Sequence, residues 1–254
     1  QASCRRALDA RGIRRKLRRL LPAHRCARSI RLVMRSRSQD DQATHDLVLF
    51  DLDGTLSDPL SGIARSINYA LSHFGYPERE LSEIAACVGP PLDQSMRSLT
   101  GLRSANDVAA LVAKYRERYG AIGYAENVLY PGITDALQAL RDAGVPLAVC
   151  TSKRVDFAER ILRRFGIRKH FRFVSGGDIG IEKPRQIATL REQGLVGPSM
   201  LMVGDRAVDL VAAHANGLQS AGVLWGYGSR AELEAETPRY LFASPGELRT
   251  LVDG

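Results

Sequence analysis

The chain has no apolar run approaching the roughly 18 residues that a helix needs to cross a bilayer, so its body is expected to be soluble, with no membrane partner. Its four cysteines, Cys4, Cys26, Cys87 and Cys150, lie far apart with no Cys-x-x-Cys pair. That argues against a disulfide framework or a zinc site and fits reduced thiols of a cytoplasmic protein. The five histidines show no ligand spacing. Acids and aromatics are nearly missing from residues 1–39, which hold 13 of the 36 Lys and Arg against Asp9 alone. This stretch carries +12 and the remainder −4, so the net charge of +8 belongs to a tail and the body is mildly acidic.

Within the tail, Ile13, Leu17, Leu20 and Leu21 fall on helical spacing, which allows a short basic amphipathic helix. An anionic surface or an organelle-targeting role would suit it, and nucleic acid is expected as a partner only through residues 1–38. The favoured expectation is plainer: residues 1–45 form a disordered or non-native leader, since the chain opens on Gln1 and Met34 is a candidate start.

With 254 residues, 44% of them hydrophobic, the chain can bury one substantial core and a smaller appended domain. From residue 46 onward, short apolar runs alternate with helical patterns. The runs are DLVLF (46–50), PLAVC (146–150), FRFV (171–174), MLMV (200–203) and SAGVLW (220–225). Each is continuous rather than alternating, as in strands buried on both faces. TDALQALRDAG (134–144, with Thr134 as expected cap), VDFAERILRRFG (155–166), PRQIATLREQG (184–194) and RAVDLVAAHANG (206–217) read as the intervening helices, each ending in Gly. The pattern predicts an α/β fold with a parallel, doubly wound sheet. Residues 59–129 break the rhythm with helical patterns and no convincing strand, between hinge candidates Pro59 and Pro131-Gly132. The expected organisation is a core of 46–58 and 130–254, with a helical insertion, 59–129, placed to act as a lid.

Against this background FDLDGTLSD (50–58) is unusual, because an apolar strand runs straight into Asp51, Asp53 and Asp58. Crowded carboxylates repel one another and resist leaving water unless a cation sits among them. The other strands also end in polar residues: Thr151 and Ser152 after LAVC, and Asp205, then Asp209, after MLMVG. A loop after FRFV delivers Lys183. In open α/β sheets these strand ends share one edge, where ligands bind. A divalent cation such as Mg²⁺ would hold the acids together, and Lys183 and Thr151 would grip a phosphoryl group. If one aspartate is a nucleophile, Asp53 is placed to protonate the leaving oxygen.

DLDGTLSD, followed in order by CTSK, a lysine in EKP and GDRAVD, resembles the four motifs of the haloacid dehalogenase superfamily, and most of all its phosphoglycolate phosphatase-like branch. The likeness runs from about residue 46 to the C-terminus. It implies Asp51 as nucleophile, Asp53 as general acid and base, and Thr151 and Lys183 on the phosphate. Mg²⁺ would sit on the Asp51 carboxylate, the Asp53 backbone carbonyl and Asp205, with Asp209 supporting the site. The resemblance also implies a helical cap over 59–129, with Gly89 and Pro90 of VGPPL (88–92) near the substrate.

Each of these residues also has a plainer role. Asp51 and Asp53 could be turn acids, Thr151 and Asp205 helix caps, Asp209 a surface helix residue, and Gly89, Pro90 and Pro91 a helix entry. Lys153 either contacts substrate or faces water. The expected function is a Mg²⁺-dependent phosphatase of small phosphorylated metabolites, which hydrolyses small phosphate monoesters through an aspartyl-phosphate. Phosphoglycolate is the best single guess from the family likeness and the helical cap, with a phosphosugar mutase or nucleotide 5′-phosphatase as alternatives. Outside enzymes, the alternatives are a silent phospho-ligand binder and a nucleic-acid binder acting through the tail.

Overall fold

The computed structural model describes residues 45–252. The expectations for the basic tail lie outside them, except that His45 is buried edge-on against Tyr240 and so belongs to the folded body.

Strands β1 (Leu47–Phe50), β4 (Leu147–Thr151), β5 (Phe171–Gly176), β6 (Met200–Gly204), β7 (Gln219–Val223) and β8 (Tyr240–Phe242) form one parallel sheet in the order β5-β4-β1-β6-β7-β8. A separate antiparallel pair joins β2 (Ser57–Asp58) to β3 (Val128–Leu129). Helices α1 (Leu60–His73), α2 (Leu81–Ala85), α3 (Leu92–Thr100) and α4 (Ala105–Ala121) lie between β2 and β3. Helices α5 (Ile133–Asp142), α6 (Val155–Arg164), α7 (Lys183–Glu192), α8 (Ala207–Ala215) and α9 (Arg230–Ala235) alternate with the remaining strands.

The unbroken apolar runs have the cause read from the sequence. On β1, Val48 and Phe50 join a cluster with α5 and α6, while Leu47 and Leu49 join another with α7 and α8. Successive side chains point to opposite faces, and burying each contributes about 1.5–3 kcal/mol. β1 sits between β4 and β6, so the chain leaves it first toward one side of the sheet and later returns to the other. That reversal opens a crevice beyond the carboxyl ends of the strands.

Most of the buried residues of a third cluster come from α1, α3 and α4, including Ile67, Met96 and Leu111, with Phe157 of α6 joining from outside. The stretch from Pro59 to Asn127 thus has an apolar core largely its own. It is not free of strand at its border: Ser57 faces Leu129 and Asp58 faces Val128. Two further expectations are corrected. Thr134 does not cap α5, because Gly132 takes that position and Thr134 lies in the first turn. Lys183 is not on a loop but is the first residue of α7, ahead of Pro184, which suits a first helical turn because it needs no amide donor. No helix among the described residues is long and apolar enough to cross a membrane.

Candidate active site

Asp51 follows β1 directly and its amide donates to Val203 O of β6 at 2.9 Å, so the ladder that builds the sheet also places this carboxylate. The chain then turns tightly, with Gly54 N donating to Ser57 O at 2.8 Å and Leu56 N to Leu52 O at 2.9 Å. Gly54 has φ +83°, and any side chain there would run into the Asp205 carboxylate. The Asp-Gly pair does make a turn, as the plainer reading has it, but the turn presses the Asp53 segment against Asp205.

Asp51, Asp53, Thr151, Lys183, Asp205 and Asp209 are all buried, and the strand ends bring them to one edge of the sheet. Thr151 ends β4 and is not a helix cap: α6 begins after Arg154, and Thr151 Oγ1 accepts from Lys153 N at 3.2 Å. Ser152 lies beside it, half-buried. Asp205 does not cap α8, since Arg206 holds that position. Its two oxygens accept from Thr55 Oγ1 at 3.3 Å and Tyr227 N at 2.8 Å. Asp209 is far from a surface residue, being fully buried. One of its oxygens contacts Lys183 Nζ and the other accepts from Arg206 N at 3.1 Å.

Lys183 Nζ lies between two acids, 3.0 Å from Asp51 Oδ1 and in contact with Asp209. Burial opposes its charge, but Asp209 and Asp51 outweigh burial and hold its pKa above the usual lysine value. Among the acids burial dominates. It raises Asp53, with Lys153 pulling the other way. It raises Asp205 well above the ordinary carboxylate range, helped by the charges of Asp209 and Asp51. It takes Asp209 up to about 6 against the pull of Lys183. Carboxylates this short of positive charge mark a place where a further cation would stabilise the ionised forms.

The residues present fit such an ion. Asp51, Asp205 and Asp209 each offer an oxygen within 4.8 Å of the others. Among the described residues, the four clustered aspartates face two ammonium groups, Lys183 and Lys153, which leaves two formal negative charges over. The buried Oδ1 of Asp53 accepts no hydrogen bond among the described residues, and the buried Oδ1 of Asp51 is ion-paired with the Lys183 ammonium 3.0 Å away. An all-oxygen donor set of this kind suits a hard divalent cation.

Asp51 and Asp53 border a cleft. Its floor includes Thr151, Ser152 and Lys153, and its far wall comes from α1, α3 and α4. Gly89 and Pro90 line it too. Gly89 has φ +107°, and a Cβ there would come within 2.9 Å of Arg206 Cγ. Arg206 Nη1 donates to Val88 O at 2.6 Å, tying this loop to the end of β6.

Several supporting residues have partners that the sequence did not reveal. Lys153 does not face water: its Nζ lies 2.7 Å from Asp53 Oδ2 and donates to Tyr119 Oη at 2.7 Å. Its place directly after Thr151-Ser152 was the available signal. Tyr119 offered none, because Tyr115 and Tyr119 read as a core stripe on α4. Asp58 accepts from Leu60 N at 2.9 Å and from the Tyr227 hydroxyl, a partner that arrives from the glycine-flanked stretch after β7.

A parallel sheet with an acid pair at the end of its central strand, a lysine at a helix start and two further acids after β6 is the arrangement of a hydrolase core. Residues 48–223 match the haloacid dehalogenase-like hydrolase family, and the chain belongs to it. It is 38% identical over 210 residues to a 5′-nucleotidase of Pseudomonas aeruginosa, across 81% of this chain and 95% of that one. It is 35% identical over 217 residues to a phosphoglycolate phosphatase of Vibrio parahaemolyticus, across 81% and 95%. Protein Tyrosine Kinase A of Mycobacterium tuberculosis has a solved structure that superposes with a TM-score of 0.71 at 38% identity, covering 83% of this chain and 99% of that one.

Proposed function

We propose that the chain is a Mg²⁺-dependent phosphatase of small phosphate monoesters, with Asp51 as nucleophile and Asp53 as general acid and base. The observation that carries this reading is the buried Asp51 carboxylate, ion-paired with Lys183, set beside the buried Asp53 at a cleft that Thr151, Ser152 and Lys153 also line. Two relatives named for monoester hydrolysis support it.

The Asp51 and Asp205 carboxylates and the Asp53 backbone carbonyl would hold the ion, with Asp209 supporting the site. When bound, Mg²⁺ offsets the charge of the phosphoryl oxygens and lets the acids ionise together. A carboxylate oxygen of Asp51 attacks phosphorus, and the bond from phosphorus to the leaving oxygen breaks. That oxygen keeps the electron pair and takes the proton of the Asp53 carboxylic acid, a form that burial favours. Water then attacks the aspartyl-phosphate, giving a proton back to Asp53 as the bond from phosphorus to Asp51 breaks. Free phosphate and the original Asp51 carboxylate result. Thr151 donates its hydroxyl hydrogen to the phosphoryl group, and Lys183 neutralises its charge. The stretch 59–129 acts as a cap that keeps bulk water out during the first step.

Asp51→Asn tests the reading. It should abolish phosphate release from p-nitrophenyl phosphate while leaving the far-UV circular dichroism unchanged, and retained turnover would sink the nucleophile assignment. The 38% identity to a tyrosine kinase favours one second reading, in which the phosphoryl group passes to a hydroxyl instead of water. Label from the phosphoryl donor then ends on the acceptor and not in inorganic phosphate.

A further inference from the structure

We propose that the cleft accepts monoesters whose leaving group is uncharged and presents an apolar face, and that Asp178, acting through Arg116, enforces this choice. The proposal rests on the phosphatase reading and narrows it to a substrate class.

Beyond the phosphate end, the cleft wall is apolar, built from Ile63 of α1, Leu92 of α3, Tyr115 of α4 and Phe157 of α6. Such a wall gains free energy from an apolar body and nothing from a solvated charge. Three of the cleft's lining side chains beyond the catalytic edge are cationic, and each is already held by a carboxylate. Lys153 Nζ is 2.7 Å from Asp53 Oδ2. Arg154 makes two bonds to Asp156, at 2.5 and 2.6 Å, and stacks its guanidinium 4.6 Å over the Phe157 ring. Arg116 Nη2 donates to Asp178 Oδ1 at 2.5 Å.

The Arg116–Asp178 pair spans the cleft from α4 to the loop between β5 and α7. Asp178 is kept in position because the same oxygen accepts from Ile179 N at 2.7 Å. Arg116 pulls its carboxyl below the usual range despite partial burial, so it stays charged at neutral pH. A leaving group bearing a carboxylate would have to share a cation that an acid already neutralises, and would lie near the negative charges of Asp178 and Asp53. The cost is that of a partly screened interaction, because the Arg116 and Asp178 side chains keep 24% and 46% of their surface exposed. Asp178 is therefore a specificity-determining residue that works by neutralising Arg116, a cleft cation that could otherwise receive a distal carboxylate.

The test compares two esters of the same shape, 4-methylphenyl phosphate and 4-carboxyphenyl phosphate, with Mg²⁺. The wild-type kcat/KM should favour the methyl ester by about threefold, the scale of one partly screened charge. Asp178→Asn should shrink that ratio about twofold, chiefly by lowering KM for the carboxylated ester. Asp178→Asn combined with Arg116→Met should lose this gain, which a purely structural role for Asp178 would not produce. Equal wild-type ratios, or a ratio that Asp178→Asn leaves unmoved, would overturn the proposal. Calorimetry with benzylphosphonate and 4-carboxybenzylphosphonate reads the same preference without turnover. Preference there with no hydrolysis refutes the phosphatase reading alone, whereas absent preference refutes the proposal whatever the enzyme hydrolyses.

Discussion

The Lys153 ammonium stands 2.7 Å from Asp53 Oδ2 and also donates to the hydroxyl of Tyr119. A residue two positions beyond β4 thereby joins the candidate general acid to helix α4.

That link fixes the pH behaviour of Asp53. Burial raises its pKa and Lys153 draws it down. Lys153→Met removes the opposing influence, so the acid should hold its proton to higher pH. The descending alkaline limb of kcat/KM, where Asp53 loses the proton it must donate, is expected to move upward in pH. A limb that stays in place or moves downward in the variant contradicts the assigned role.

Asp209 and Lys183 form a fully buried pair at the heart of the site. Asp209→Ala leaves Lys183 buried with Asp51 as its remaining close acid. The loss should be about 3 kcal/mol, the scale for stripping one partner from a buried pair. Urea denaturation in EDTA measures it, and a loss below about 1 kcal/mol would place the pair in better contact with water than the structure does.

Metal-free stability should also depend on pH in a definite sense. Asp209 rises from 3.8 to about 6 on folding, so the folded state keeps a proton that the unfolded chain releases. Stability from this group is fully present below pH 3.8 and is lost as pH rises through about 6. The melting temperature in EDTA should therefore fall between about pH 5 and pH 7.5. Added Mg²⁺ should raise it more at the higher pH, where its ligands are already ionised. A metal-free melting temperature that climbs over this interval would contradict the picture.

Much of this was legible beforehand because it is written in local pattern. β1, β4 and β6 are unbroken apolar runs that end in acids or hydroxyls, and a parallel sheet carries all such ends to one edge. What escaped notice depends on partners distant in sequence. β8 is three residues long and is held by its pairing with β7, so it carries no run of its own. β2 and β3 are two residues each and exist only because they meet. The inward turn of Lys153 needs Asp53 and Tyr119, which lie 100 and 34 positions away. Thr134 looked like a cap because the preference is chemical, whereas the left-handed backbone of Gly132 settled where α5 begins.

Ser57 and Leu129 sit side by side on strands that run in opposite directions, roughly 5 Å apart. The polypeptide therefore departs and comes back through almost a single point. As far as backbone geometry goes, the seventy-odd intervening residues are a detour without displacement. A longer, shorter or differently folded excursion could hang from the same two-rung stem while the sheet kept its register.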